Sequence, residues 1–215
     1  MKNSIILKQT KMLERMFDIF NEKYFNGELN DVALTIQSQG RRKLTLGWCS
    51  VKEAWEKRKK GHETKDKEVY REINIVAEYL NEGIYRVSET LLHEMVHALN
   101  LQRGVKDCNP KTQNHNKKFK ELAEQIGLIV EKVEKRGWAD TSLSPLMCKA
   151  IEDLVKSGEL EDVFDTARFT YEEKKPAERK PRKKYSCACG IKFSSTKDID
   201  ATCNVCGERF ECEEE

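Results

Sequence analysis

The chain has 215 residues, 38% hydrophobic and 35% charged, and its 39 basic and 37 acidic side chains leave a formal charge of +2. That length supports one core of roughly 120 to 170 residues plus a small appendage, and excludes a repeat array or a bare tail. Near-balanced charge selects no partner class; no run of eighteen apolar residues marks a membrane span, and Ile5, Ile6 and Leu7 are too few for a signal-peptide core, so a cytoplasmic protein with no membrane partner is expected.

In chain order, residues 8 to 25 set Met12, Leu13, Met16, Phe17, Phe20, Tyr24 and Phe25 at three- and four-residue spacing, the pattern of a helix with one apolar face, ending before Asn26-Gly27. Short β-type runs follow at Val32 to Gln37 and Lys43 to Ser50, joined by Ser38-Gln39-Gly40, with another at Glu72 to Glu78, where Ile73, Ile75 and Ala77 alternate. Between them Trp55 to Asp66 is dense in charge, with Lys57, Arg58, Lys59 and Lys60. A solvated loop is the simpler reading, a contact for an anionic polymer the other. Ser88 is a plausible N-cap for a helix to about Leu101; Lys117 to Gln125 reads as a second helix stopped by Gly127, and Pro145 to Ser157 as a third. The pattern predicts an α+β fold, helices packed on a small sheet.

Charge separates the C-terminal part. Residues 1–171 hold 29 basic and 27 acidic side chains, 172–184 hold 7 and 3, and 185–215 hold 3 and 7. With two prolines and no large apolar residue, 172–184 reads as a basic flexible linker between a main domain, 1–171, and a small module, 185–215.

The residues that carry chemistry begin at His93-Glu94-Met95-Val96-His97. Two histidines four apart share a helix face and can bind one zinc ion, and Glu94 is placed to take a proton from a zinc-bound water while the metal polarises a peptide carbonyl. The apolar residues Leu91, Leu92, Met95, Val96, Ala98 and Leu99 bury the same helix, and a buried His-Glu-His set without a metal is costly. A catalytic zinc needs a third protein ligand. The position six after His97 is Arg103, which excludes the metzincin pattern. His115, opening the second helix after a loop long enough to fold back, is preferred; Glu121 or Glu124 on that helix is the alternative, and His62 in the charged loop reads as a surface histidine.

Eight cysteines in a chain without an export signal are poor disulfide candidates. Cys187-Ala-Cys189-Gly190 and Cys203-Asn-Val-Cys206-Gly207, thirteen residues apart, form two knuckle-like pairs and predict a four-thiolate zinc ribbon. Cys49, Cys108, Cys148 and Cys212 read as ordinary reduced thiols. The ribbon's acidic surplus gives it no electrostatic claim on DNA, so phosphate contacts, where made, fall to Arg179, Lys180, Arg182, Lys183 and Lys184, with Tyr185 or Phe193 offered for stacking. A solubilising tether is the plainer reading of the same linker.

Four features in this order resemble the SprT-like family of zinc metallopeptidases, the Spartan-related proteases: Tyr24-Phe25-Asn26-Gly27-Glu28-Leu29, His93 to His97, Asn114-His115-Asn116-Lys117-Lys118-Phe119, and the cysteine-rich tail. The resemblance implies a minimal zincin-like domain followed by a zinc ribbon, with one catalytic and one structural zinc. It implies His93, His97 and His115 as ligands, Glu94 as general base, and a protein substrate bound or crosslinked to DNA. The competing expectation is a zinc-containing adaptor for DNA or the transcription machinery with little catalysis, against which Glu94 argues, since a scaffold needs no base beside its metal. A monomer is expected.

Overall fold

The computed structural model describes residues 4–40, 45–57, 67–109, 111–134, 136–169 and 182–213. The chain divides into two units, Met1–Phe169 and Thr170–Glu215.

In the first unit, helix α1 (Ile5–Tyr24) buries Leu13, Met16, Phe17 and Phe20, the stripe expected from three- and four-residue spacing. It ends where Asn26 and Gly27 take φ of 55° and 67°, a left-handed pair that asparagine and glycine tolerate best. The side chain of Asn21 closes the turn by bonding both the amide and the carbonyl of Leu29, which aims the chain into β1 (Val32–Gln37).

Strand β4 (Glu68–Val76) pairs in parallel with β1, and antiparallel with β2 (Gly47–Cys49) and β3 (Trp55–Lys57). Between β2 and β3 the chain bulges, and Arg71 holds the bulge through the carbonyls of Ser50 and Val51 and the carboxylate of Glu53. On one sheet face Glu72 accepts from both indoles, Trp48 at 3.0 Å and Trp55 at 2.7 Å, so the buried carboxylate is satisfied by indole donors. The charged segment expected from Trp55 as a loop or polymer contact thus begins as strand β3; residues 58–66, with Arg58, Lys59, Lys60 and His62, lie outside the described residues.

The run expected to end at Glu78 stops at Val76, and Ala77–Glu82 form a 3-10 helix leading into α2 (Gly83–Gln102). α2 starts five residues before Ser88, which is therefore not its N-cap but a buried residue one turn inside. Ile84 and Val87 extend the apolar face upstream, and Arg86 bonds Glu82 and Glu89 at helical spacing, which stabilises the added turn. α3 (Lys117–Gln125) is capped by the Asn116 side chain on the amide of Lys118 and stops at Gly127, φ 98°. A hairpin that sequence periodicity did not announce follows, β5 (Leu128–Val133) and β6 (Gly137–Leu143), and then α4 (Pro145–Lys156), capped by Ser144. One core joins α1, the sheet, α2, α3, the hairpin and α4, with Phe20, Phe25, Ile73, Leu92, Met95, Phe119 and Ile151 buried in it. Each such side chain contributes roughly 1.5–3 kcal/mol by leaving water.

The second unit is a three-stranded sheet, β7 (Lys183–Ser186) between β8 (Lys192–Ser195) and β9 (Glu211–Glu213). Lys183 and Lys184, assigned to the linker by composition, are strand residues: their backbone pairs with β8 while their side chains stay in solvent. The rest of the linker, 172–181, lies outside the described residues. Among the described residues no helix is long and apolar enough to cross a membrane.

Candidate metal centre and active site

Helix α2 carries His93 and His97 one turn apart, with Glu94 between them and 6% exposed. His115 arrives from the loop before α3, and its backbone rather than its ring is what the fold grips. Its amide donates to Arg136 O at 3.2 Å, its carbonyl accepts from Trp138 N at 3.1 Å, and it also bridges to Cys108. Gly137 lies over it so closely that a Cβ there would stand 2.3 Å from His115 O, and its φ is 69°. Only glycine fits both constraints.

The result is one cluster. Each of the three imidazoles offers a nitrogen within 4.8 Å of the other two, and the His97 and His115 Nε2 atoms are 2.9 Å apart. Phe119, fully buried on α3, closes the other side, with ring centroids 4.4 to 4.7 Å from all three. Glu121 and Glu124 are exposed on α3, and Glu124 pairs with Lys120; among the described residues it is the His115 ring, not a carboxylate of α3, that groups with the two helical histidines.

The donor set fits a metal ion. His97 Nδ1 is 2.7 Å from Asp107, which also accepts from Asn100 at 3.1 Å, and His93 Nδ1 is 3.0 Å from the Thr141 hydroxyl. With Nδ1–H directed outward in both rings, their Nε2 lone pairs are left facing the cluster. Two imidazole nitrogens 2.9 Å apart, one of them a lone pair, suit a tetrahedral cation, whose neighbouring ligand nitrogens stand about 3.3 Å apart at zinc distances.

Electrostatics agree with that geometry. Burial, and then the neighbouring imidazoles, hold His93 well below its ordinary pKa, and burial and His97 take His115 down to about 4. Both rings are therefore neutral at neutral pH. At His97 burial disfavours the cation, but the Asp107 bond and the nearby Glu94 outweigh it and raise the pKa. At Asp107 burial pushes upward, and His97 and Asn100 outweigh it to hold the carboxyl below its usual value. Burial pushes Glu94 up to about 7, against the pull of His97 and of the Cys49 backbone N–H.

That contact places Glu94 under strand β2. A Cβ on Gly47 would meet Thr90 Cγ2 and Asn74 O at 2.8 Å and Glu94 Cγ at 3.3 Å, so the missing side chain lets the strand sit directly on the helix beside the glutamate. Asp107, Thr141 and Gly47 carry no motif: Asp107 and Thr141 meet their histidines across 10 and 48 residues, and Gly47 is a simple close approach. Only the buried-type Phe119, inside the Asn-His-Asn-Lys-Lys-Phe segment, offered a signal in sequence.

In the second unit Cys187, Cys189, Cys203 and Cys206 bring their sulfurs within 4.8 Å of one another. Cys187 to Cys189 is 3.2 Å and Cys189 to Cys203 3.6 Å, near the roughly 3.8 Å edge of a tetrahedral zinc–thiolate site. Gly190 and Gly207 take φ of 86° and 77°, the knuckle turns. Backbone N–H groups of Cys206 and Val205 take the Cys203 thiol down to about 6, while proton sharing with Cys187 leads the rise of Cys189 to about 12. Outside the quartet, Cys49, Cys108 and Cys148 are free thiols, with Cys49 pushed far up by burial and by Glu94. Tyr185 and Phe193 stack on each other at 5.0 Å, and Tyr185 is buried.

No curated protein and no solved structure matches the chain. Residues 13–137 match the model of the SprT-like family, a span that runs from α1 through the histidine cluster to Gly137 and covers more than half of the sequence. A family of zincin-like metallopeptidase domains accounts for three imidazoles gathered beside a buried glutamate, and the chain belongs to the SprT-like family.

Proposed function

We propose that the protein is a zinc-dependent endopeptidase, with His93, His97 and His115 holding the catalytic ion, Glu94 as general base, and the four cysteines of the ribbon holding a structural zinc. The observation that carries this reading is the convergence of three imidazoles beside the buried Glu94 of α2. Bound there, zinc supplies Lewis acidity to a peptide carbonyl and acidifies water. Glu94 takes the proton of the attacking water at its carboxylate and delivers it to the leaving amide nitrogen. A carboxyl raised by burial is the stronger base, while a bound dication draws its pKa down again.

Substrate is presented by β2. Main-chain bonds to β4 use Leu46 and Ser50, and among the described residues β2 pairs with β4 alone, which leaves the main chain of Gly47 on the outer edge beside the site, with the Cys49 N–H turned to Glu94. An extended peptide adds to such an edge by main-chain hydrogen bonds. Proteins bound or crosslinked to DNA are the proposed substrate class, in a cytoplasmic monomer, with the basic residues of 172–184 supplying phosphate contacts.

The purified chain tests this on a DNA-binding protein, with and without single-stranded DNA. Cleavage lost on chelation and restored by zinc supports the peptidase, and stimulation by DNA supports the substrate class. Cleavage that persists after both zinc ions are removed contradicts the proposal.

A further inference from the structure

The β5–β6 hairpin touches two of the three imidazole-bearing residues by two different devices. At one end its turn grips the His115 backbone through Arg136 O, Trp138 N and the close approach of Gly137. Four residues further along β6, Thr141 puts its hydroxyl 3.0 Å from His93 Nδ1. Thr141 pairs across the hairpin with Val130, whose side chain is buried in the core, so the hydroxyl sits on an anchored strand.

We infer that Thr141 is a positioning residue for His93 and that the hairpin clamps the site. The inference rests on the reading of the three imidazoles as a zinc site. Its argument is one of tautomers. A ring that presents Nε2 as a ligand must carry its proton on Nδ1, and a buried N–H needs an acceptor. For His97 the acceptor is Asp107; for His93 it is the Thr141 oxygen. His115 differs: its Nδ1 is buried with no hydrogen-bond partner among the described residues, so its orientation depends on the backbone clamp. One hairpin therefore sets the tautomer of one ligand and the position of another, and Thr141 lies beyond the 13–137 segment that carries the family match. Loss of an outer partner of a zinc-bound histidine weakens metal binding by about 10- to 100-fold.

The test uses the full chain and two variants. Thr141→Val keeps the β-branched shape suited to a strand and removes the acceptor; Thr141→Ser restores it. With four histidines in the sequence, long-range proton–nitrogen spectra resolve each ring, so a chelator titration followed on those signals reads zinc at the triad separately from the ribbon. Expected are an Nδ1-protonated His93 in the metal-free wild type, a mixed tautomer and a zinc affinity about 10- to 100-fold weaker in Thr141→Val, and recovery of both in Thr141→Ser. If the wild type binds zinc at the triad and Thr141→Val binds it equally with His93 still Nδ1-protonated, the positioning role is overturned while the zinc site stands. If the wild type takes up no zinc there, both fall.

Discussion

Replacing Asp107 by Asn isolates the contribution of one buried charge to the metal site. Asp107 is 2% exposed and accepts two hydrogen bonds on the same oxygen, from His97 Nδ1 at 2.7 Å and Asn100 Nδ2 at 3.1 Å. An asparagine keeps the shape and an acceptor oxygen, but the bond to His97 changes from charge-assisted to neutral, which roughly halves its strength and lowers the basicity of the opposite ring nitrogen. A zinc affinity at the triad about 10- to 100-fold weaker follows, equivalent to about 1.4–2.7 kcal/mol. Asp107→Ala adds a different cost. It strands two buried donors, each worth about 1–3 kcal/mol, so the metal-free protein also loses stability. Chelator competition for zinc together with melting of the metal-free protein separates the two effects. An Asp107→Asn protein that binds zinc within twofold of wild type refutes the reasoning.

Three further outcomes follow from the same geometry. Gly47→Ala forces a Cβ against Thr90 and Asn74 at 2.8 Å, so a stability loss of about 1–3 kcal/mol is expected in denaturant melts, with zinc retained and hydrolysis reduced; an unchanged midpoint and rate contradict the close-approach argument. Among the described residues of the second unit the buried hydrophobics are Tyr185, Cys187 and Cys203, too little to fold unaided, so a strong chelator should collapse the amide dispersion of 182–213; dispersion that survives removal of the metal refutes this. Acid should destabilise the metal-free main unit of a Glu94→Gln variant. His93 and His115 have depressed pKa values when folded, the latter about 4 against 6.5 unfolded, so within that window the unfolded chain binds more protons and stability falls as pH drops from about 6.5 toward 4. His97, raised by Asp107, opposes this as one site against two, and the substitution removes Glu94, whose carboxyl, raised to about 7 by burial, adds a second opposing site in the unsubstituted chain. Melting temperature against pH in the presence of chelator reads the sign, and a rise on acidification contradicts it.

The parts of the molecule legible in sequence are those with a local period or a ligand spacing. The α1 stripe, β1, the start and stop of α3, and the pairing of His93 with His97 each follow from residues within about twenty positions. The start of α2 was hidden because Gly83 reads as a breaker, although its φ of 85° only ends the preceding turn. β5–β6 was missed since Glu131, Lys132 and Asp140 interrupt its alternation, and the hairpin is set by tertiary pairing and by its grip on His115. The outer partners Asp107 and Thr141 are single polar residues whose importance appears only when the chain returns to α2.

Central to this account is the claim that Glu94 drives hydrolysis at a zinc held by three histidines. Glu94→Gln keeps size and removes the base, so the direct measurement is cleavage of a DNA-binding protein by wild type and Glu94→Gln, each assayed for zinc content. The account predicts two zinc ions in both proteins and a loss of about 100-fold or more in the variant's rate. Equal cleavage by the two proteins, or inertness of both with two zinc ions bound, contradicts it.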